Sequence, residues 1–168
     1  MRQLTGTSQT ITRRTDGKPD QIQEQSVSLS HCDNLTLAIS GQTLVACDLE
    51  IVSSTSYSWS DLLGIEGAEL SRLITHETTE PLEIAATRIW AAQECLKKAG
   101  MNAKQTPIVL KRLTGNLIWL QAGGMVTGAE QTHLMIATWA LTVNELKSPL
   151  VIAILSAVPS PMPLCASS

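Results

Sequence analysis

One segment constrains the fold more than any other: a long stretch of strong helix formers between Pro81 and Gly100. It reads PLEIAATRIWAAQECLKKAG and is rich in Ala, Leu, Glu and Lys, all of which favour the helix. Proline is accepted in the first turn of a helix, and glycine commonly follows the last turn. The pattern therefore predicts one long helix here. Residues 57–74 also carry helical spacing, but Gly64 and Gly67 interrupt it.

Short runs of β-type residues lie on both sides of this helix. Residues 26–40 alternate in two arms around Cys32-Asp33-Asn34, which predicts a hairpin. Residues 44–52, LVACDLEIV, predict a strand in the centre of a sheet. Four more β-like runs follow the helix, at 108–113, 116–122, 134–143 and 150–157. The sum is an α+β fold in which an antiparallel sheet packs against one long helix.

The length of 168 residues suits a single domain with one core, which we assign to residues 26–158. Residues 1–25 are polar and predict an extended lead-in, and the Pro/Ser-rich residues 159–168 predict a frayed tail. Because the chain has four Trp, one Tyr and no Phe, its core is expected to consist mostly of Leu, Ile, Val and Ala.

The sequence disfavours a membrane or exported protein. No apolar run approaches the roughly 20 residues needed to span a bilayer, and no charged-then-apolar leader is present. The four cysteines lack metal-binding spacing and are expected to be reduced thiols. We therefore expect a cytoplasmic protein without a membrane partner.

The charge layout favours a ligand that carries phosphates and brings a divalent cation. Residues 48–94 are rich in acids, whereas residues 95–129 contain none. The basic residues of that second stretch are Lys97, Lys98, Lys104, Lys111 and Arg112. Chance clustering on a solvated surface is the alternative. Nucleic-acid binding is disfavoured because the basic stretch lacks interleaved aromatics and the net charge is −3.

Two acids in the run LVACDLEIV are candidate metal ligands. Side chains two apart on a strand face the same side, so Asp48 and Glu50 are expected to point together. Two like charges in a buried strand are costly unless a cation lies between them. Mg²⁺ meets that need, since it takes one or two carboxylates together with waters and phosphate oxygens. An edge strand with its acidic side in water is the alternative.

The predicted helix carries a polar stripe. Trp90, Glu94 and Lys98 are four residues apart and therefore lie on one side of the helix. The alternative is an ordinary surface pair between Glu94 and Lys98, with Trp90 in the core.

Three sequence blocks together carry a resemblance to a known family. The first is Gly17-Lys18-Pro19 followed by SVSLSHCDN, the second is VACDLEIV, and the third is IWAAQECLKKAG. In this order and approximate spacing, over residues 16–100, they resemble the Sfp-type 4′-phosphopantetheinyl transferases. The helix, the WSDLLG segment and the late AGG…ATW are similar to the transferase domain fused at the carboxyl end of iterative type I polyketide synthases, the enediyne type especially.

The resemblance implies a single transferase-like unit that moves 4′-phosphopantetheine from coenzyme A to a serine of an acyl carrier protein or carrier domain, releasing 3′,5′-ADP. It implies that Mg²⁺ (with Mn²⁺ left open) is held by Asp48, Glu50 and Glu94. It implies that Glu94 acts as general base, directly or through a water, and that Lys98 contacts the phosphates or steadies the leaving group. It further implies a coenzyme A contact at its 3′-phosphate end, made by His31 with Ser30 and Lys18.

Two departures from the family pattern affect these expectations. The helix has Gln93 where the family has lysine, and Lys97, one turn later, is expected to contact coenzyme A in its place. The family enzymes consist of two similar halves, whereas residues 1–41 here resemble only the end of a first half. The chain is therefore expected to form a homo-oligomer, such as a trimer, or to be completed by attached synthase domains. The alternative function is a non-catalytic carrier-docking or structural module of a polyketide synthase.

Overall fold

The structure is a computed structural model that describes residue 12 and residues 25–53, 58–127, 130–144 and 146–159. Within these residues the chain forms seven strands and two helices. In chain order they are β1 (Ser26–Cys32), β2 (Leu35–Gly41), β3 (Val45–Ile51), α1 (Trp59–Thr78), α2 (Leu82–Lys98), β4 (Ile108–Thr114), β5 (Leu117–Thr127), β6 (Glu130–Leu141) and β7 (Leu150–Pro159). Most of the predicted lead-in, and the predicted tail beyond Pro159, lie outside the described residues.

Five strands form one antiparallel sheet in the order β3-β7-β6-β5-β4, and β1 and β2 form a separate hairpin. The predicted α+β fold with an antiparallel sheet is confirmed. The hairpin is also confirmed: Cys32 pairs with Leu35, and Asp33 in the two-residue turn has a φ of 53°. Positive φ is what tight hairpin turns require, and Asp tolerates it.

Two long helices pack beside each other, where the sequence predicted one. The additional helix, α1, contains a kink at Gly64, whose φ of 76° and ψ of 169° are not helical. Glycine adopts this conformation without the steric cost that a Cβ would impose. The helical spacing noted over residues 57–74 therefore corresponds to α1, and the glycine that interrupts it at position 64 marks a kink within that helix.

Helix α2 forms as predicted and supplies the apolar side that covers the sheet. Gly100 follows its end with a φ of 84°, and the N–H of Met101 donates to the carbonyl of Leu96 at 2.9 Å, as expected when a glycine ends a helix. Its side chains Ala85, Ile89 and Leu96 are fully buried. The buried apolar residues of the described chain are Ala, Leu, Ile and Val with Cys47 and Cys95, which confirms the expected core of mostly Leu, Ile, Val and Ala.

Strand β3 is an edge strand, so the prediction of a central strand is wrong. It pairs with β7 on one side only, and the N–H groups on its other side donate to serine hydroxyls of β1. The three donor–acceptor pairs, at 3.2, 3.0 and 3.2 Å, are Val45–Ser26, Cys47–Ser28 and Leu49–Ser30. We call this arrangement the serine ladder. It buries β3 from both sides, which is why its composition resembles that of a central strand.

The described cysteines are free thiols, as expected for reduced cysteines, and Cys165 lies outside the described residues. Burial raises the pKa of the Cys47 thiol and raises that of Cys95 further, so both remain protonated and unreactive at neutral pH. Neither described helix is long and apolar enough to cross a membrane.

Arg88 is a fully buried arginine that links α2 to the loop before it, to the β4–β5 turn and to β6. Its Nε and Nη2 donate to the two carboxylate oxygens of Glu80, at 3.0 and 2.6 Å. Its Nη1 donates to the carbonyl of Thr138 at 2.8 Å, and Nη2 also donates to Oδ1 of Asn116 at 2.9 Å. A buried guanidinium is tolerated when its donors are all satisfied in this way.

Replacement of Arg88 by methionine is predicted to lower the free energy of unfolding by about 3–5 kcal/mol, because it leaves the Glu80 carboxylate without its cation. Urea unfolding followed by circular dichroism measures the change. Arg72→Met, at an exposed position of α1, is the control and is expected to change stability by no more than about 0.5 kcal/mol. Equal losses in the two variants would contradict the role of Arg88.

Candidate functional site

Asp48 and Glu50 lie together on the side of β3 that α2 covers, as the strand alternation predicted. Asp48 is only 4% exposed and Glu50 is partly buried. The alternative of an acidic side in open water is therefore wrong, although β3 is an edge strand. A pair of carboxylates in this position needs compensating charge.

The two oxygens of Asp48 have different surroundings. Oδ1 accepts hydrogen bonds from Lys98 Nζ at 2.7 Å and from Ser30 Oγ at 3.0 Å. Lys98 is held in place by a second bond, from its Nζ to the carbonyl of Cys47 at 2.9 Å. Oδ2 is buried and has no hydrogen-bond partner among the described residues. An acceptor of this kind is costly to bury unless a ligand completes it.

Glu50 carries the least compensated charge of the site. Its Oε1 accepts a hydrogen bond from Trp90 Nε1 at 3.1 Å, and no described Lys, Arg or His forms an ion pair with it. Burial raises the pKa of the Glu50 carboxyl, and the charge of Asp48 raises it further. The hydrogen bond from Trp90 lowers this pKa, whereas a hydrogen bond with the Asp48 carboxylate and, more weakly, the charge of Glu94 raise it. The site therefore attracts a cation or a proton to Glu50.

The polar stripe of α2 faces this pair of carboxylates. Glu94 and Lys98 do not pair with each other, as the alternative of an ordinary surface pair would require. Lys98 binds Asp48, and Trp90 donates to Glu50. The carboxylate of Glu94 accepts a 2.5 Å hydrogen bond from Lys97 Nζ, which also lies 4.7 Å from the centre of the Trp90 ring. Nothing in the sequence indicated the hydrogen bond from the Trp90 indole. The four-residue spacing of Trp90 from Glu94 did predict that both lie on the same side of the helix.

The donor set fits Mg²⁺ as a two-carboxylate site. Within the described ranges, no group of three or more His, Cys, Asp and Glu side chains is close enough to bind a metal ion. Asp48 and Glu50 nevertheless offer two adjacent carboxylates, one with an open Oδ2. Mg²⁺ takes one or two carboxylates and completes its shell with waters and substrate phosphates. Glu94 as a third ligand remains a prediction, since its carboxylate is bound by Lys97.

The residues predicted to bind coenzyme A are only partly brought together. Ser30 is 7% exposed, and its hydroxyl is occupied by Asp48 and by the N–H of Leu49. His31 follows it at the end of β1 and is exposed, on the opposite side of the strand from Ser30. Lys18 lies outside the described residues. Lys97 lies at the rim of the carboxylate site, beside Glu94.

Gln93 points away from the carboxylates. It is 6% exposed, and its Nε2 donates to the carbonyl of Leu63 at 3.0 Å, beside the Gly64 kink of α1. One residue along a helix is a turn of about 100°, so Gln93 faces α1 while Glu94 faces the site. It also lines a cavity of about 380 Å³ at the kink, to which none of the site carboxylates contributes. Gln93, which stands where the resembled family has lysine, therefore packs on α1 and does not face the carboxylates.

This arrangement brings three carboxylates, two lysines and an indole N–H to one side of β3 and α2. Chemically it can bind a divalent cation and place ammonium groups beside an anionic ligand. A scan against protein-family profiles finds no match to this chain, and a search of curated proteins finds none either. Function is therefore inferred from the site and from the sequence motifs.

Glu50→Gln is predicted to stabilise the metal-free protein at pH 8, because the raised pKa of Glu50 means that its charge is unfavourable in the fold. A glutamine can keep the bond from Trp90 and places no charge beside Asp48. We expect a Tm about 2–4 °C above wild type in EDTA. The advantage shrinks as the pH falls towards the ordinary pKa of 4.5, where the wild-type carboxyl is protonated in the folded protein.

Differential scanning fluorimetry in EDTA and in Mg²⁺ measures both effects. Mg²⁺ should raise the Tm of the wild type and leave that of Glu50→Gln nearly unchanged. Glu83→Gln, at an exposed position in the first turn of α2, is the matched control and should respond to Mg²⁺ as wild type does. If the Tm of Glu50→Gln is below that of the wild type at pH 8, the charge of Glu50 does not destabilise the fold.

Proposed function

We propose that this protein is a Mg²⁺-dependent 4′-phosphopantetheinyl transferase. It moves the phosphopantetheine arm of coenzyme A to a serine of an acyl carrier protein or carrier domain and releases 3′,5′-ADP. The observation that carries the proposal is the adjacent pair of the buried Asp48 and the partly buried Glu50, with an open Oδ2 and two lysines at its edge. The three sequence blocks support the choice of substrate, and the carboxylates and lysines of the site would supply the chemistry that this substrate needs.

The side chains of the site have distinct proposed roles. Asp48 and Glu50 would hold Mg²⁺, which when bound supplies charge neutralisation to the pyrophosphate of coenzyme A. Lys98 lies against Asp48 and is placed to contact a phosphate oxygen beside the carboxylates. Lys97 lies further out and is placed for a second phosphate contact. Ammonium groups fixed beside developing negative charge stabilise the transition state of such a transfer.

Glu94 is proposed as the general base. The serine oxygen of the carrier attacks the phosphorus that bears the pantetheine arm, and a new P–O bond forms. The bond from that phosphorus to the bridging pyrophosphate oxygen breaks, and 3′,5′-ADP leaves with the bridging oxygen. The serine proton passes to Glu94, directly or through a water. In the ligand-free chain Lys97 occupies the Glu94 carboxylate, so binding of a phosphate at Lys97 would free the base.

The proposed unit corresponds to a single half of a two-half transferase, with the β1–β2 hairpin corresponding to the end of the other half. We propose that a second copy of the chain, as in a trimer, or an attached synthase domain completes the coenzyme A site. His31 lies at the exposed end of the hairpin and is placed to meet such a ligand.

Intact-protein mass spectrometry of an apo carrier protein, after incubation with this chain, coenzyme A and Mg²⁺, tests the activity. The carrier should gain the mass of one phosphopantetheine arm, and EDTA should prevent the gain. Glu94→Gln should lower the rate by at least about 100-fold, the typical contribution of a general base. Glu83→Gln, on the same helix but away from the site, should retain wild-type activity.

No mass gain across several carriers, including one from an iterative polyketide synthase, would contradict the transferase. If the same carriers bound the chain without being modified, the alternative of a non-catalytic docking module would take its place.

Lys97→Ala is predicted to raise the KM for coenzyme A about tenfold, since it removes one ammonium from the proposed phosphate site. Steady-state kinetics at saturating carrier protein measure the effect. Lys111→Ala, on the exposed side of β4, removes the same charge at a distance from the carboxylates and should leave the KM unchanged. An unchanged KM in Lys97→Ala would show that Lys97 pairs with Glu94 and does not contact coenzyme A.

A further inference from the structure

The serine ladder ends inside the carboxylate site, and its last member differs from the others. Ser26 and Ser28 accept N–H groups of Val45 and Cys47. Ser30 accepts the N–H of Leu49 at 3.2 Å in the same way, but it also donates to Oδ1 of Asp48 at 3.0 Å. Ser30 therefore connects the backbone of β3 to a side chain of the site.

The two bonds of Ser30 fix the direction of its single hydroxyl hydrogen. A serine hydroxyl has one donor and two acceptor lone pairs. Because the N–H of Leu49 occupies the acceptor side, the one hydrogen is left for Asp48. The backbone of β3 thus aims the Ser30 hydroxyl at the carboxylate of Asp48, the residue that precedes Leu49 on β3.

This contact decides which Asp48 oxygen is available to a ligand. Oδ1 receives two donors, Ser30 Oγ and Lys98 Nζ, whereas Oδ2 receives none among the described residues. With both donors on one oxygen, the carboxylate is held against rotation about its last bond. Lysine alone is a weaker constraint, because the ammonium on its flexible stem can follow either oxygen.

We propose that Ser30 is a positioning residue of the metal site: it fixes the Asp48 carboxylate so that Oδ2 is presented for a divalent cation. The inference rests on the proposed function and assigns Ser30 a role different from the coenzyme A contact that the resemblance implied. Both hydrogen-bonding directions of its hydroxyl are used within the protein, and the residue is 7% exposed.

Ser28 provides a matched comparison within the same strand. It is also buried, lies two residues away on the same side of β1 and accepts one N–H of β3, but it is bonded to Cys47 and not to a carboxylate. Ser28→Ala and Ser30→Ala each leave one N–H of β3 without its acceptor, so both should lower stability, and Ser30→Ala should lower it more because it also loses the bond to Asp48. Only Ser30→Ala should change the response to the metal.

The test is a Mg²⁺ titration of the whole chain in the absence of coenzyme A, followed by the Tm and by isothermal titration calorimetry. Ser30→Ala should need at least about tenfold more Mg²⁺ than wild type, as for other residues that orient a metal ligand. Ser28→Ala should titrate as wild type does. Ser30→Thr keeps the hydroxyl and should restore the wild-type midpoint.

Equal Mg²⁺ midpoints in Ser30→Ala, Ser28→Ala and wild type would overturn the positioning role and leave the proposed function standing. A wild-type chain without any Mg²⁺ response would overturn both. Should Ser30→Ala fail to fold, Ser30→Cys gives the same comparison, because a thiol fills the space but is a weak donor.

Discussion

Strand β3 lies at the edge of the five-stranded sheet, and the serine hydroxyls of β1 accept the N–H groups that would otherwise point outward without partners. An edge strand normally leaves such groups to water, which is incompatible with a buried position. The serine ladder satisfies them with side chains, so that the hairpin can pack on β3 without joining its sheet. The burial of Asp48, and hence the electrostatics of the site, depends on this arrangement.

Charge compensation at the site is incomplete. Among the described residues, Asp48 has Lys98 and Glu94 has Lys97, whereas Glu50 has the indole N–H of Trp90 and no cation. A protein under selection for stability alone would replace Glu50 with an uncharged residue, because a buried carboxylate beside another one is unfavourable. The uncompensated charge of Glu50 supports the proposed divalent-cation site, whose affinity would come at the expense of the ligand-free fold.

Local patterns in the sequence predicted several secondary-structure elements and which side chains share one side of a strand. The hairpin follows from alternation around Asp33, helix α2 from its composition between Pro81 and Gly100, and the shared side of Asp48 and Glu50 from the period of a strand. Features that depend on distant partners were not predictable. The edge position of β3 depends on pairing with β7, and the burial of Arg88 depends on acceptors in the β4–β5 turn and in β6. The direction of Gln93 depends on a kink in a neighbouring helix.

The pairing of β3 with β7 has a consequence for the order of assembly. The two strands are joined by most of the described chain, so that Val45 lies opposite Ser156. Contacts between residues this far apart in sequence form late, since a long loop must close before they contribute stability. During synthesis β3 emerges before α2, before Lys97 and Lys98, and before β7, the strand with which it pairs. The chain therefore acquires its carboxylate site as one of the final steps of folding, and a product truncated before β7 would carry the motif residues without the site.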